Sequence, residues 1–228
     1  MTPSPITLMT GRIAPLSGTE TPSGIIKTCV DRPLKLGPNG FESDEQADLR
    51  VHGGPEKAVH HYPHEHYAPW RSELGTLPAL EAPGGFGENI STEGLTETTV
   101  AVGDIFRLGS AVVQVSQGRQ PCWKLNRRFD VPDMARRVQD TGRTGWYYRV
   151  LQPGTVAPGD KLELTDRVAP DWTLHRLWHA LYVDRMNLSE LEGIAALDVL
   201  ADGWRKYAVR RLANRRVEDW SPRLDGKA

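Results

Sequence analysis

A mainly β fold with added helices is what this sequence predicts: a closed or partly closed barrel followed by a small three-helix unit. Three observations carry it. Up to about Asp166 the chain is short apolar runs separated by Gly, Pro and Asp, many rich in Val, Ile and Tyr, as short strands joined by turns require. Two helices interrupt that region, and a further helix start follows Cys122. After Val168-Ala-Pro170 the spacing of apolar residues turns helical. The 228 residues therefore divide into a barrel domain over 1–168 and a three-helix domain over 169–228, with enough chain in the first to bury a core.

In chain order, strands are expected over Ile6–Ile13, Gly24–Val30, Ala58–Tyr62, Val100–Leu108, Ala111–Ser116, Trp146–Leu151 and Lys161–Leu164. Turn residues such as Leu108-Gly-Ser110 and Gln152-Pro-Gly154 separate them. The two interrupting helices are expected over His64–Leu74 and Asp133–Asp140. The last sixty residues hold helical stretches over Trp172–Asp184, Ser189–Leu200 and Asp202–Arg215. Ser189 with Glu192 three positions on reads as a capping box. The last stretch carries Arg205, Lys206, Arg210, Arg211, Arg215 and Arg216, which is the outline of a DNA-reading helix. Twenty-eight basic against twenty-nine acidic residues, a formal net charge of −1, give no field toward nucleic acid or anionic lipid, so a solvated or partner-facing basic face is the better reading. The N-terminus lacks a basic segment and a long apolar run, and nowhere do about 20 apolar residues follow one another as a membrane span needs. A soluble protein in the reducing cytoplasm is expected, with its two cysteines free.

One of those cysteines sits in an unusual setting. In Gln117-Gly-Arg-Gln-Pro-Cys-Trp-Lys-Leu-Asn126 a strand ends, Gly118 and Pro121 break it, and a helix starts. Cys122 would face unpaired backbone N–H groups, with Arg119 and Lys124 nearby. Those conditions favour a thiolate, hence a nucleophile or a metal ligand. A small buried hydrophobe is the competing reading. Cys29 closes the apolar run Gly24–Val30 and is expected in the core.

Three polar clusters accompany Cys122. In Val51-His-Gly-Gly-Pro-Glu-Lys57, paired glycines after His52 let backbone approach a ligand closely. Successive N–H groups at Gly53 and Gly54 can make an anion nest, to which Lys57 adds a cation. Asp44 lies just upstream in Ser43-Asp-Glu-Gln-Ala-Asp48. Five of the seven histidines fall within His52–His66, yet no zinc spacing is present. His60 and His61 point to opposite faces if they lie in a strand, and His61 is the one expected to face inward. In Phe86-Gly-Glu-Asn-Ile-Ser-Thr-Glu-Gly-Leu95, Glu88 and Asn89 are placed either to hydrogen-bond a heterocycle or to close a turn.

The ordered set Asp44-Glu-Gln-Ala-Asp, Val51-His-Gly-Gly-Pro, His61-Tyr-Pro, Phe86-Gly-Glu-Asn-Ile-Ser-Thr-Glu-Gly-Leu, Val102-Gly-Asp-Ile-Phe and Gln117-x-Arg-x-Pro-Cys-x-Lys-Leu-Asn126 resembles the MOSC-domain proteins of the YiiM type. These are relatives of the C-terminal domain of molybdenum-cofactor sulfurases. The resemblance spans nearly the whole chain, including a helical C-terminal appendage. It implies a MOSC-type β-barrel and binding of the molybdenum cofactor, a pterin bearing a dithiolene and a phosphate. It also implies reduction of small N-hydroxylated compounds, such as 6-hydroxylaminopurine-type base analogues, to amines. No nucleotide or flavin motif is present, so a separate electron-donating reductase is the expected partner. The chain is expected to be a monomer or homodimer. The wider superfamily also carries pyridoxal-phosphate binding, at that level only.

On this resemblance Cys122 is the molybdenum ligand. His52, Gly53, Gly54 and Lys57 hold the pterin phosphate or its surroundings, and Arg119 and Lys124 add charge. Asp44, Glu88 and Asn89 are candidates for pterin hydrogen bonds or a proton donor, with Asp44 and His61 the catalytic candidates beside Cys122. Two departures bear on substrate choice: Ser43 stands where Gly is expected, and His60 replaces a smaller residue found in some relatives. A persulfide carrier using Cys122, or a cofactor-binding module without catalysis, are the alternatives.

Overall fold

The computed structural model describes residues 5–48 and 53–226. Among them the large sheet runs in the order Leu162–Arg167, Asp104–Leu108, Ala111–Gly118, Trp146–Gln152, Val59–His61, Ile90–Ser91, Thr7–Thr10, Thr28–Cys29. Neighbours are antiparallel except Val59–His61 beside Ile90–Ser91. The sheet curls until its ends approach: Pro5 bridges Lys161, and Ile6 donates its N–H to the Asp160 carbonyl at 2.9 Å. The result is a partly closed barrel. Leu8, Val59, Ile90, Phe106, Val113, Val115, Trp146 and Tyr148 fill its interior, each fully buried side chain stabilising the fold by roughly 1.5–3 kcal/mol.

Several pairings fall outside the expected set. Gly154–Val156, Leu34–Gly37 and Gly40–Phe41 form a small second sheet, and Ala14–Pro15 pairs with Pro22–Ser23. Pairings this short leave no alternating pattern to read. Of the run Gly24–Val30 only Thr28–Cys29 is strand, and it lies at the sheet edge against Met9 and Thr10. Cys29 is therefore exposed rather than in the core. Helices occupy Tyr67–Leu74, after a 3₁₀ turn at His64–His66, then Lys124–Phe129 and Met134–Thr141.

The C-terminal region begins with Leu174–Trp178, capped by the Thr173 side chain, which accepts from the Arg176 N–H. It continues as a π-helical turn over His179–Val183. The next helix, Leu188–Ala195, is capped by Asn187, whose Oδ1 accepts from Glu190 N–H at 3.3 Å. That moves the cap two residues ahead of the expected Ser189. Asp202–Asn214 follows, and a further short helix, Ser221–Asp225, adds to the three expected. Arg211 of the basic stretch is fully buried: it donates to Glu218 and to the Leu181 and Arg185 carbonyls, and Arg205 is held by Asp198 and Asp202. No helix among the described residues is long and apolar enough to cross a membrane.

The helical region is locked onto the barrel. Ala201 N–H donates to the Ser116 carbonyl at 2.9 Å, and Val102 N–H to the Trp172 carbonyl at 3.0 Å. Trp204 packs over Gly118, where an added Cβ would come within 2.8 Å of the indole. Gly118 is thus required for close approach, at the point where the strand hands over to the Cys122 segment.

Candidate functional site

A cleft enclosing about 670 Å³, part of it open to solvent, lies at the end of the strands Val59–His61 and Ala111–Gly118. Ser23–Lys27, Asp44–Asp48, the loop at Phe86–Asn89 and the turn from Arg119 into the helix Lys124–Phe129 form it, with Lys57, His60 and Tyr147 between them. Cys122 lines it, half-buried. Lys27, Lys57, Arg119 and Lys124 supply cationic side chains, and Ile25, Phe86 and Tyr147 supply apolar and aromatic surface.

The expected residues take distinct places. Asp44 lines the cleft and is saturated: it accepts from Lys27 Nζ, from the Gly11 N–H at 2.8 Å and from Asn89 Nδ2 at 2.9 Å. Asn89 completes the tie by accepting the His60 N–H at 3.1 Å. These bonds pin the Asp44 segment to the strands Thr7–Thr10 and Val59–His61. Lys124 donates to the Pro22 carbonyl at 3.4 Å, holding the opposite rim. Lys57 reaches the cleft from the turn Pro55–Lys57. Burial pulls its ammonium below the usual lysine range, while Cys122, close enough to act on it, pushes the other way.

Glu88 stands behind the cleft wall rather than in it. Fully buried, it accepts from Tyr67 Oη, from the Gly84 N–H at 2.8 Å and from the Phe86 N–H at 3.0 Å. Burial raises its carboxyl above the ordinary range despite those donors. It shapes the loop that presents Phe86 and Gly87. Gly53 and Gly54 precede the Lys57 turn and do not line the cleft; His52 lies outside the described residues.

His61 does face inward, but into the barrel interior and not the cleft. Its Nδ1 lies 3.0 Å from Tyr148 Oη and its Nε2 3.0 Å from Thr92 Oγ1. Burial lowers its pKa to about 3. A neutral, doubly bonded imidazole walled off from the cleft is a core residue. Its neighbour His60 is the one that lines the cleft. That ring sits 5.0 Å from the Tyr147 ring and has a buried Nε2 with no partner among the described residues. Burial, then Arg119, hold it well below the usual histidine range.

Lys27, inside the expected strand Gly24–Val30, and Tyr147 also line the cleft without any local motif that marks them. A lone lysine inside Gly24-Ile-Ile-Lys-Thr-Cys-Val30 was the available signal. Buried lysines need a partner, and Lys27, only 8% exposed, has Asp44.

The cleft's chemistry fits the pterin–molybdenum group that the resemblance implies. Arg119 is only 5% exposed, yet its Nη1 has no hydrogen-bond partner among the described residues. Arg143 Nη1, Arg128 Nε and Arg223 Nε are open as well, but Arg119 is the one of these arginines that lines the cleft, where its guanidinium suits a ligand anion. Cys122 offers the soft sulfur that molybdenum takes, and Phe86 with Tyr147 offer flat surface for a fused ring. No group of three or more His, Cys, Asp or Glu among the described residues could hold a metal unaided. A single protein sulfur is consistent with a metal brought in on its own organic ligand.

Comparison with known proteins fits this geometry. The MOSC domain matches residues 48–163, and the YiiM-like 3-alpha helix domain matches 172–215. Protein YiiM of Escherichia coli is 42% identical over 227 residues, covering 98% of this chain and 99% of that one. The crystal structure of E. coli YiiM superposes with a TM-score of 0.83 at 35% identity, covering 98% and 99% of the two chains. A protein of Gibberella moniliformis named reductase is 38% identical over 81% of this chain but only 34% of its own length. The chain belongs to the MOSC-domain family, in its YiiM-like branch with the three-helix C-terminal domain. MOSC domains as a family are associated with the molybdenum cofactor.

Proposed function

We propose that the chain binds the molybdenum cofactor in this cleft and reduces small N-hydroxylated compounds to amines, drawing electrons from a separate reductase. The observation that carries the reading is the pairing, in one cleft, of the half-buried Cys122 thiol with the buried, unpartnered Nη1 of Arg119. The name of the Gibberella relative supports the reductive half of it. When bound, the cofactor supplies the two-electron oxygen-atom acceptor that N–O cleavage needs.

The chain's own residues supply the rest. Cys122 Sγ is the protein ligand to the metal. Arg119 and Lys57 hold the anionic end of the pterin, and Tyr147 lines the cleft beside them as a wall. Phe86 and Ile25 face the ring system. His60, held neutral, offers Nε2 as an acceptor for a ligand N–H or O–H, an uncommon group among so many donors. The Asp44–Lys27–Asn89 ties keep these walls in register, so that binding does not have to order them.

The test is purification from a host that makes the cofactor, with bound molybdenum and pterin measured, and reduction of an N-hydroxylated base assayed with an artificial donor. Wild type is expected to carry both and to turn over. Cys122→Ala should lose molybdenum-dependent reduction by about two orders of magnitude or more with its far-UV spectrum unchanged. Full reduction by Cys122→Ala would overturn the assignment, and active protein free of molybdenum and pterin would overturn the reading itself.

A further inference from the structure

The segment that carries Cys122 has little structure of its own. Residues 119–123 contain neither helix nor strand, and the helix after them, Lys124–Phe129, is six residues long. It is tied to chain 62 to 102 residues away. Gln120 Nε2 donates to Tyr182 Oη at 2.8 Å, and Asn126 Nδ2 donates to the Leu224 carbonyl at 2.9 Å.

The tightest bracket comes from one residue. Arg223 Nη1 donates to the Pro121 carbonyl, and the Arg223 carbonyl accepts the Trp123 N–H at 2.8 Å. Both backbone neighbours of Cys122 are therefore held by the side chain and the main chain of Arg223. The other guanidinium arm, Nη2, donates to Gln139 Oε1 at 2.5 Å. The Gln139 carbonyl in turn accepts Trp178 Nε1 at 2.6 Å, which ties the barrel's helix Met134–Thr141 to the same C-terminal region. The Trp220 ring lies under the guanidinium, 5.0 Å away.

We propose that Arg223 is a positioning residue for Cys122: the C-terminal helical unit holds the ligand-bearing turn in place through the Arg223 bracket on Pro121 and Trp123. The functional weight of this rests on Cys122 serving as the metal ligand; the bracket itself does not. A sulfur that must meet a metal already held by another molecule gains from a fixed backbone, because each freed residue of the turn would have to be ordered on binding at an entropic cost. Lysine cannot replace the fork, since only a guanidinium spans Pro121 and Gln139 together.

Amide hydrogen exchange on metal-free full-length protein tests it directly. In Arg223→Met, exchange across residues 119–126 is expected to rise by about tenfold or more, while the strands Ala111–Gly118 and Trp146–Gln152 keep their rates. Arg223→Lys should fall between that variant and wild type, and it keeps the test available if the methionine variant does not fold. Asp225→Asn, which removes only the exposed pair with Arg136, should leave the segment unchanged. In cofactor-loaded protein Arg223→Met should lower kcat by about tenfold with KM moved less than about twofold, because Arg223 holds the turn from behind and does not itself line the cleft. Unchanged exchange over 119–126, or equal acceleration in the two strands, would overturn the proposal. The exchange result is read without molybdenum, so it stands or falls separately from the proposed reaction.

Discussion

His60 and His61 are adjacent on one strand, and they face two different solvents. The His61 side enters the barrel, where both ring nitrogens are bonded and apolar side chains close around it. The His60 side enters the cleft, where a buried nitrogen is left without a partner among the described residues. The same contrast holds for Glu88, saturated behind the wall, and Arg119, open within it. Burial alone does not separate core from site in this molecule. Open buried atoms occur away from the cleft too, at Trp204 Nε1 and Arg143 Nη1 for example, so an open group marks the site only where it also lines the cleft, as His60 Nε2, Gln46 Oε1 and Arg119 Nη1 do.

Breaking the wall should cost most where a charge is stranded. Asp44 and Lys27 form a pair with side chains 3% and 5% exposed. Asp44→Ala is expected to destabilise the fold by about 3–5 kcal/mol, since Lys27 would stay buried and unpaired; urea unfolding reads this as a lower midpoint. The double variant Asp44→Leu with Lys27→Met should recover most of the loss. If Asp44→Ala costs under about 1 kcal/mol, the pair is a surface bridge in energetic terms and the wall is not built as described.

Acid probes the interior side of the comparison. His61 titrates at about 3 in the fold and near 6.5 in the unfolded chain. Between those values the unfolded chain takes a proton that the native state refuses. The neutral ring's contribution is therefore complete above about pH 6.5 and lost progressively down to about pH 3, at roughly 1.4 kcal/mol per pH unit. His60, lowered in the same direction, adds to it. Glu88, raised by burial, acts oppositely: its contribution is present at low pH and fades as pH rises. Comparing His61→Leu with wild type removes Glu88 from the difference. Stability measured from pH 7 to pH 4 should fall less steeply in His61→Leu, and parallel slopes would show that His61 is not the group refusing the proton.

The sequence was legible where chemistry is local. Asp44, Lys57, Asn89, Arg119, Cys122 and Lys124 were picked from short runs and converge on one cleft. Alternation along a strand predicted that His60 and His61 face opposite ways, but it does not say which face meets the barrel and which the cleft. That is decided by the Asn89 bond to the His60 backbone and by the Tyr148 and Thr92 side chains beyond. Lys27 escaped because its partner lies 17 residues away. The Arg223 bracket escaped for the same reason at larger scale: 102 residues separate Pro121 from the guanidinium that holds it, and nothing in the local pattern of either marks the other. The barrel could be read from repeated strands, whereas the small sheet through Leu34–Gly37 could not, because its strands of two to four residues are too short to carry a pattern.

The smallest expected effect is the sharpest test of the contrast. His60→Leu removes a ring of similar bulk whose Nε2 makes no hydrogen bond among the described residues. An unsatisfied buried polar atom is a cost, so its replacement by an apolar side chain should change stability by no more than about 1 kcal/mol, in either direction. Its effect should appear instead in bound pterin and molybdenum, since the variant deletes a neutral acceptor that, like Gln46 Oε1, stands open among the cleft's cationic side chains. A loss of more than about 2 kcal/mol with cofactor content unchanged would make His60 a core residue like His61. The strand Val59–His61 would then present a core residue on both of its faces.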